Sequence, residues 1–338
     1  MLYPLNYCLD GFGPHLDSRL VCPRTFSSIS AFARTLPSFS AAFLECRLGT
    51  NQPQVDFAVR LSQASEPQSS KQHPAPEEWK ACLEAYYEWL AEHSLLPEQV
   101  GHVGLEFDIQ DPSSSISVPS IFFSLNSEVS NQHNLFGITS KILNGRLPAS
   151  FASYLAHCLD CLPTRAYIAY LGLMLSRAQD SVRLISNLAA DRILDYLRRI
   201  GWSGSQEPLE FLLSELSTLT DFISLSFDIR ERVMPRIGFE CYLSRQPKHE
   251  RRWSLLLDRL VDLNLCISGK KDALLSWPGY TRERTTPAAP LDPKGDSPWS
   301  NPFLNSGALV REISHLKILY SSDARLEAKA YLEMENYA

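Results

Sequence analysis

EPLEFLLSELSTLTDFISLSFDIRERVMPRIGFECYLS, from Glu207 to Ser244, changes its hydrophobic period partway along and so exposes the plan of the whole chain. Leu209, Leu212, Leu213 and Leu216 recur at the spacing of one helical face. FISLSFDIR then alternates, with Ile223, Leu225, Phe227 and Ile229 opposed to Ser224, Ser226 and Asp228. After a polar turn, RERVMP, the segment RIGFECYLS sets Ile237, Phe239, Cys241 and Leu243 against Gly238, Glu240, Tyr242 and Ser244. The expected order is helix, strand, turn, strand.

The unit recurs on both sides. Upstream, a helix around Phe26 to Leu36 precedes FSAAFLECRL and VDFAVRLS, and a stripe of Trp79, Leu83, Tyr87 and Leu90 precedes VGLEFDI and VPSIFFSL. A third helix, roughly Ala149 to Leu162, leads into YIAYLGLML and SVRLISN. Downstream, Trp253, Leu256, Leu257, Leu260 and Leu263 share a helical face before ISHLKILY and LEAKAYL. About five units and about ten strands result. Hairpins in series make an antiparallel meander whose apolar face meets the helices. The polar faces then look into an interior, and about ten strands suffice to close a barrel and remove exposed edges. The expected fold is α/β of the α+β kind: one barrel domain over 1–338, ringed by helices.

Three segments interrupt the pattern: Ala64 to Pro76, Asn126 to Pro148 with an apolar middle that fits a short helix, and the long loop Thr281 to Gly307 with its five prolines. A hydrophobic fraction of 44% suits a chain with a real core, and a net charge of −6 argues against a general nucleic-acid binder. The N-terminus lacks a basic stretch followed by an apolar one, and the longest apolar run, Ala166 to Leu175, is about half a bilayer crossing. Eight scattered cysteines suit free thiols in a reducing cytoplasm. The expectation is a cytoplasmic protein without membrane or nucleic-acid partners, its oligomeric state left open.

The inward positions carry the chemistry. They include Glu45 and Arg47, Asp56 and Arg60, Glu106 and Asp108, Tyr170, Arg183, Asp228, Glu240, Tyr242, His315, Lys317, Lys329 and Tyr331. Enclosing so many ionisable groups is costly unless they pair or meet a charged ligand. The competing interpretation is an exposed sheet face with ordinary cross-strand ion pairs. Basic groups with aromatic groups between them match transfer from an allylic diphosphate. Arg and Lys would bind its oxygens, aromatic faces would shelter the carbocation, and a carboxylate would take the acceptor's proton.

FLECRLGTNQPQVDFAVRL resembles the opening hairpin of the ABBA-type aromatic prenyltransferases, the PT-barrel superfamily, in which an acceptor-binding Glu and a diphosphate-binding Arg stand where Glu45 and Arg60 stand here. LEAKAYL resembles that family's Lys-x-Tyr strands, with Lys329 for phosphate and Tyr331 as cation shield. Arg183 lies where a family Arg would bind diphosphate. The resemblance implies a ten-stranded barrel in which Glu45 orients and deprotonates an aromatic small molecule or peptide. Arg60, Arg183, Lys317 and Lys329 would hold the diphosphate, Tyr331, Tyr242 and Tyr170 would shield the cation, and Glu240 would join the binding set. No cofactor is required. The chain departs from the pattern at Ser120, Phe122, Ile185 and Asn187.

Other readings stay open. Glu106, Asp108 and Glu240 leave room for magnesium if they converge. The HCLDC segment, with His157, Cys158 and Cys161, lacks the fourth ligand of a zinc site. No GxGxxG, GxxxxGK[ST] or GxSxG motif occurs. A non-catalytic protein holding a peptide or aromatic metabolite is the alternative function, and a carboxylate-based hydrolase or lyase a third. Convergence of Arg60, Arg183, Lys317 and Lys329 on one point favours diphosphate chemistry; neutralisation of each by its own carboxylate favours binding.

Overall fold

The computed structural model describes residues 5–53, 55–61, 77–92, 101–109, 118–125, 132–143, 150–176, 181–282, 308–321, 323 and 325–337, with backbone alone for 77–79 and 132–134. Among these described residues eleven strands form one antiparallel sheet. They are β1 (Phe39–Arg47), β2 (Val55–Leu61), β3 (Val103–Phe107), β4 (Ser120–Ser124), β5 (Tyr167–Leu173), β6 (Val182–Asn187), β7 (Phe222–Ile229), β8 (Val233–Tyr242), β9 (Gly279–Arg282), β10 (Ala308–Tyr320) and β11 (Leu326–Tyr337). Strands β1 to β8 pair in sequence, β8 pairs with β10, β10 with β11, and β11 returns to β1. Ten strands therefore close a barrel. β9 sits outside that ring, on the first four residues of β10.

The helices follow the apolar stripes: α1 (Leu5–Cys8), α2 (Pro23–Ala33), α3 (Glu77–Glu92), α4 (Gln132–Leu143), α5 (Phe151–Asp160), α6 (Ile193–Arg199), α7 (Glu207–Leu219), α8 (Arg252–Asp262) and α9 (Ser268–Ser276). Ile223, Leu225, Phe227 and Ile229 of β7 are almost fully excluded from solvent. Phe227 meets the Tyr196 ring of α6 edge-on at 6.0 Å. Trp253, Leu256, Leu257 and Leu260 bury the inner stripe of α8 as their spacing requires. The core is thus a sleeve between sheet and helices, leaving the opposite sheet face for the lumen.

Several local expectations are corrected. The inner stripe of α3 is Cys82, Tyr86, Trp89 and Leu90, with Leu83 and Tyr87 only half-buried, so the face is rotated from the expected one. The Trp79 side chain lies outside the described residues. RERVMP is not all turn, because β8 already begins at Val233. Thr281 and Arg282, expected to open the long loop, belong to β9; residues 283–307 lie outside the described residues, as do 64–76. The short helix inside 126–148 is α4. α9 was not anticipated, because SGKKDALLS has no apolar stripe to announce it.

Candidate functional site in the barrel lumen

Two adjoining cavities lie in the barrel. One, of about 310 Å³, lies toward the strand ends that lead to helices and is lined by Phe43, Phe122, Tyr170, Tyr242, His102 and His315 among others. The second, of about 540 Å³, lies toward the hairpin turns and is lined by Glu45, Arg47, Asp56, Asp108, Asp228, Arg230 and Lys329 among others. Glu106, Arg183, Lys317 and Tyr331 belong to both walls and form the boundary between them. We call the two the aromatic chamber and the charged chamber.

Strand register explains the division. Phe222 is opposite Tyr242, and Tyr331 is opposite both His315 and Glu45. Four rings from β7, β8, β10 and β11 consequently stack in a row. Phe222 and Tyr242 lie 4.4 Å apart at 7°, Tyr242 and His315 4.8 Å apart at 30°, and His315 and Tyr331 4.1 Å apart at 17°. Burial pushes the His315 imidazole down to about 4, so the stack is uncharged at neutral pH, and Nε2 of that ring is buried without a partner.

One level toward the turns, Arg47 is opposite Lys329, and Lys329 is opposite Lys317. Three cations on adjacent strands repel one another and require neighbouring anions. Arg47 Nη2 bonds Asp56 at 3.1 Å. Lys329 and the Tyr331 hydroxyl both donate to Glu45. Lys317 donates to Glu240 at 2.8 Å and to Ser226 at 3.2 Å, and the Tyr242 hydroxyl donates to the other Glu240 oxygen at 2.9 Å. Two glycines make room for this: a Cβ on Gly238 would stand 2.8 Å from Cε of Lys317, and one on Gly172 2.6 Å from the Phe122 ring.

Arg183 grips Asp228 with two bonds, at 2.7 and 3.1 Å, and that anion raises the guanidinium above its ordinary value despite burial. Arg60 lines the aromatic chamber and, unlike Arg183 and Lys317, not the charged one. It bonds Glu333 and Glu335 at 3.1 Å each and lies 5.4 Å from the centre of the Phe43 ring. Each of the four cations expected to bind diphosphate therefore has a carboxylate partner. Arg183, Lys317 and Lys329 share the charged chamber; Arg60 does not join them.

The carboxylates fall into two groups. Glu45 is desolvated, but Lys329 and the Tyr331 hydroxyl outweigh burial and hold it down to about 2. Glu240 is likewise held below its ordinary value by Lys317 and neighbouring donors, against desolvation. Desolvation wins elsewhere, lifting Asp56 to about 6, Glu106 to about 7 and Glu333 to about 7. Burial also raises Tyr170, Tyr242 and Tyr331, leaving them protonated donors.

Among the described residues no three Asp, Glu, His or Cys side chains gather closely enough to hold a metal ion. Asp108 lines only the charged chamber and Glu240 only the aromatic one. His157 and Cys161 instead approach the Arg199 carbonyl at 3.1 and 3.8 Å, and none of the eight cysteines forms a disulfide. No described helix is long and apolar enough to cross a membrane.

Sequence reading missed Glu333 and Glu335 by ending the last strand at LEAKAYL. Glu327, Lys329, Tyr331, Glu333 and Glu335 continue one period-2 face, so the signal was present. Phe43 was missed because an apolar inward residue does not stand out, and Phe122 was read only as a departure from the family pattern. Ser314 reaches the lumen through a register shift between Ile313 and His315, which no pattern announces.

No family model matches the chain and no curated protein matches it. Solved structures do. The prenyltransferase PriB in its apo form aligns with a TM-score of 0.54 at 12% identity, covering 98% of this chain and 96% of that one. A 6-dimethylallyl tryptophan synthase aligns at 0.49 and 11% identity, over 87% of this chain and 80% of its own. AnaPT from Neosartorya fischeri aligns at 0.48 and 11% identity, over 98% and 90%. At such identities the likeness is one of architecture, and PriB carries it. The chain has the PT-barrel fold seen in ABBA-type prenyltransferases.

Proposed function

We propose that this barrel transfers a prenyl group from an allylic diphosphate to an aromatic acceptor. The observation that carries the proposal is the division of one lumen into an aromatic and a charged chamber that meet at a shared wall. The charged chamber would take the diphosphate, with Lys329, Lys317 and Arg183 exchanging carboxylate partners for phosphate oxygens, and Arg47 added to the set. These cations would stabilise the leaving group, so the proposal requires no metal or other cofactor. The aromatic chamber would hold the prenyl chain and acceptor. Tyr331, Tyr242 and His315 would shelter the allylic cation, with Tyr170 on the opposite wall. The free thiols suit a reducing cytoplasm.

The pairing of each expected cation favours a second reading: a non-catalytic protein that binds a neutral aromatic metabolite or peptide side chain. Pyrophosphate separates the two. Calorimetric titration should show saturable binding, and dimethylallyl diphosphate with a panel of indoles and phenols should give prenylated product, with EDTA leaving the rate unchanged. Binding of aromatics without pyrophosphate binding or product would leave the second reading in place.

A further inference from the structure

The expected base, Glu45, is held by Lys329 and Tyr331 inside the charged chamber. Its depressed titration makes it a poor proton acceptor. The lumen holds another carboxylate with different surroundings. Glu106 of β3 is one of the four side chains that face both chambers. Its cross-strand neighbours are Ala58 on β2 and Ser120 on β4, neither of which can neutralise it. Among the described residues its carboxyl makes no hydrogen bond and no ion pair. Its charged surroundings are Glu45 of β1, Arg183 of β6, Lys317 of β10 and Lys329 of β11, with the Tyr331 hydroxyl near it. Each of the three cations is already bonded to another carboxylate. The boundary therefore contains a carboxylate without a partner, between the charged chamber that would take the diphosphate and the aromatic chamber that would hold the prenyl chain and acceptor.

We infer that Glu106, not Glu45, is the catalytic residue that accepts the acceptor's proton. This rests on the prenyl-transfer reading above. In the step, the allylic carbon–oxygen bond breaks and pyrophosphate departs with the electron pair. The aromatic ring supplies the pair for the new carbon–carbon bond, and the ring proton passes to a Glu106 oxygen as aromaticity returns. Glu45 then serves as a positioning residue for Lys329 and Tyr331. A base titrating near 7 is matched to neutral pH. Desolvation inside the barrel keeps Glu106 protonated below that pH, so activity should rise through the neutral range.

The test compares wild type, Glu106→Gln and Glu106→Asp with dimethylallyl diphosphate and the best acceptor of the indole and phenol panel. The expected result for Glu106→Gln is a fall in kcat of roughly 100-fold or more. KM for both substrates and pyrophosphate affinity should stay within about threefold, with partial recovery in Glu106→Asp. The wild-type rise with pH should vanish in Glu106→Gln. Wild-type turnover with kcat and pH profile unaltered in Glu106→Gln overturns the role of Glu106 alone. Absence of product from the wild type, with pyrophosphate binding absent too, overturns the prenyl-transfer reading and this inference with it. Loss of pyrophosphate binding in Glu106→Gln would make Glu106 a structural support and overturn its role as base.

Discussion

The two chambers are built from the same strands but solve the problem of an enclosed interior in opposite ways. Along the aromatic chamber the register lines up four rings, of which Tyr242, His315 and Tyr331 face the cavity, and the histidine among them is kept uncharged by burial. One level toward the turns the same register sets Arg47, Lys329 and Lys317 side by side and surrounds them with Asp56, Glu45 and Glu240. A ring stack holds together by contact and needs no partner from the opposite wall. A buried cation row holds only while each charge is matched. The chambers should therefore fail differently, and that difference is measurable.

The largest effect is expected from Lys317→Met. It leaves Glu240 buried with only the Tyr242 hydroxyl, at a cost of about 3–5 kcal/mol in a urea unfolding titration. If the loss is below about 1 kcal/mol, the charged chamber does not depend on matching. Next comes pH. Asp56, Glu106 and Glu333 titrate above their unfolded values, so the folded state holds protons that the unfolded chain releases. Stability should therefore fall as pH rises from the ordinary carboxylate range to about 7. Glu45 acts in the opposite sense, and its contribution is lost as pH falls toward 2. His102 and His315, held down to about 4 by burial, offset part of this below pH 6.5 because they charge only in the unfolded chain, so thermal melting should decline most clearly between about pH 6.5 and 8, with a shallower decline in Glu333→Gln. A flat profile would contradict these assignments.

A sharper comparison comes from Lys317→Met combined with Glu240→Gln, which strands no charge. Stability should return to within about 1 kcal/mol of wild type. Pyrophosphate affinity should drop by about 10- to 100-fold for one lost charge-assisted bond, while binding of indole stays the same. The smallest effect is expected from Tyr242→Leu, which interrupts the ring row. Indole affinity should weaken by about 2- to 10-fold, with pyrophosphate affinity unaltered. Equal loss for both ligands would mean that the chambers are not energetically separate.

The barrel was legible because its information is local. FISLSFDIR and RIGFECYLS each state which face is apolar, and hairpins joined in series leave few ways to arrange such strands. The inward positions of Glu45, Arg60, Glu106, Arg183 and Lys329 followed from alternation alone. The partners did not. Which β11 side chains Arg60 meets depends on the stagger with which β11 closes against β1: Glu335 now stands opposite Ala41, the β1 neighbour of Arg60, and a shift of two residues would put Glu333 or Tyr337 there. The split of the lumen was likewise hidden, because its boundary is made by side chains on four different strands, β3, β6, β10 and β11. β9 escaped notice because GYTR is too short to show any period.

Closure by β11 also bears on how the molecule is made. This strand is the last of the ring to leave the ribosome, yet it brings Lys329, Tyr331, Glu333 and Glu335, and it seals β10 to β1 across nearly the full length of the sequence. Until it docks, Glu45 and Arg60 have no counter-ions and β1 is an open edge ready to pair with another chain. Such distant pairing makes assembly slow, so a nascent chain would spend that interval as a trough lined with unmatched charge, and any interruption of synthesis before residue 326 would yield a product with no lumen at all.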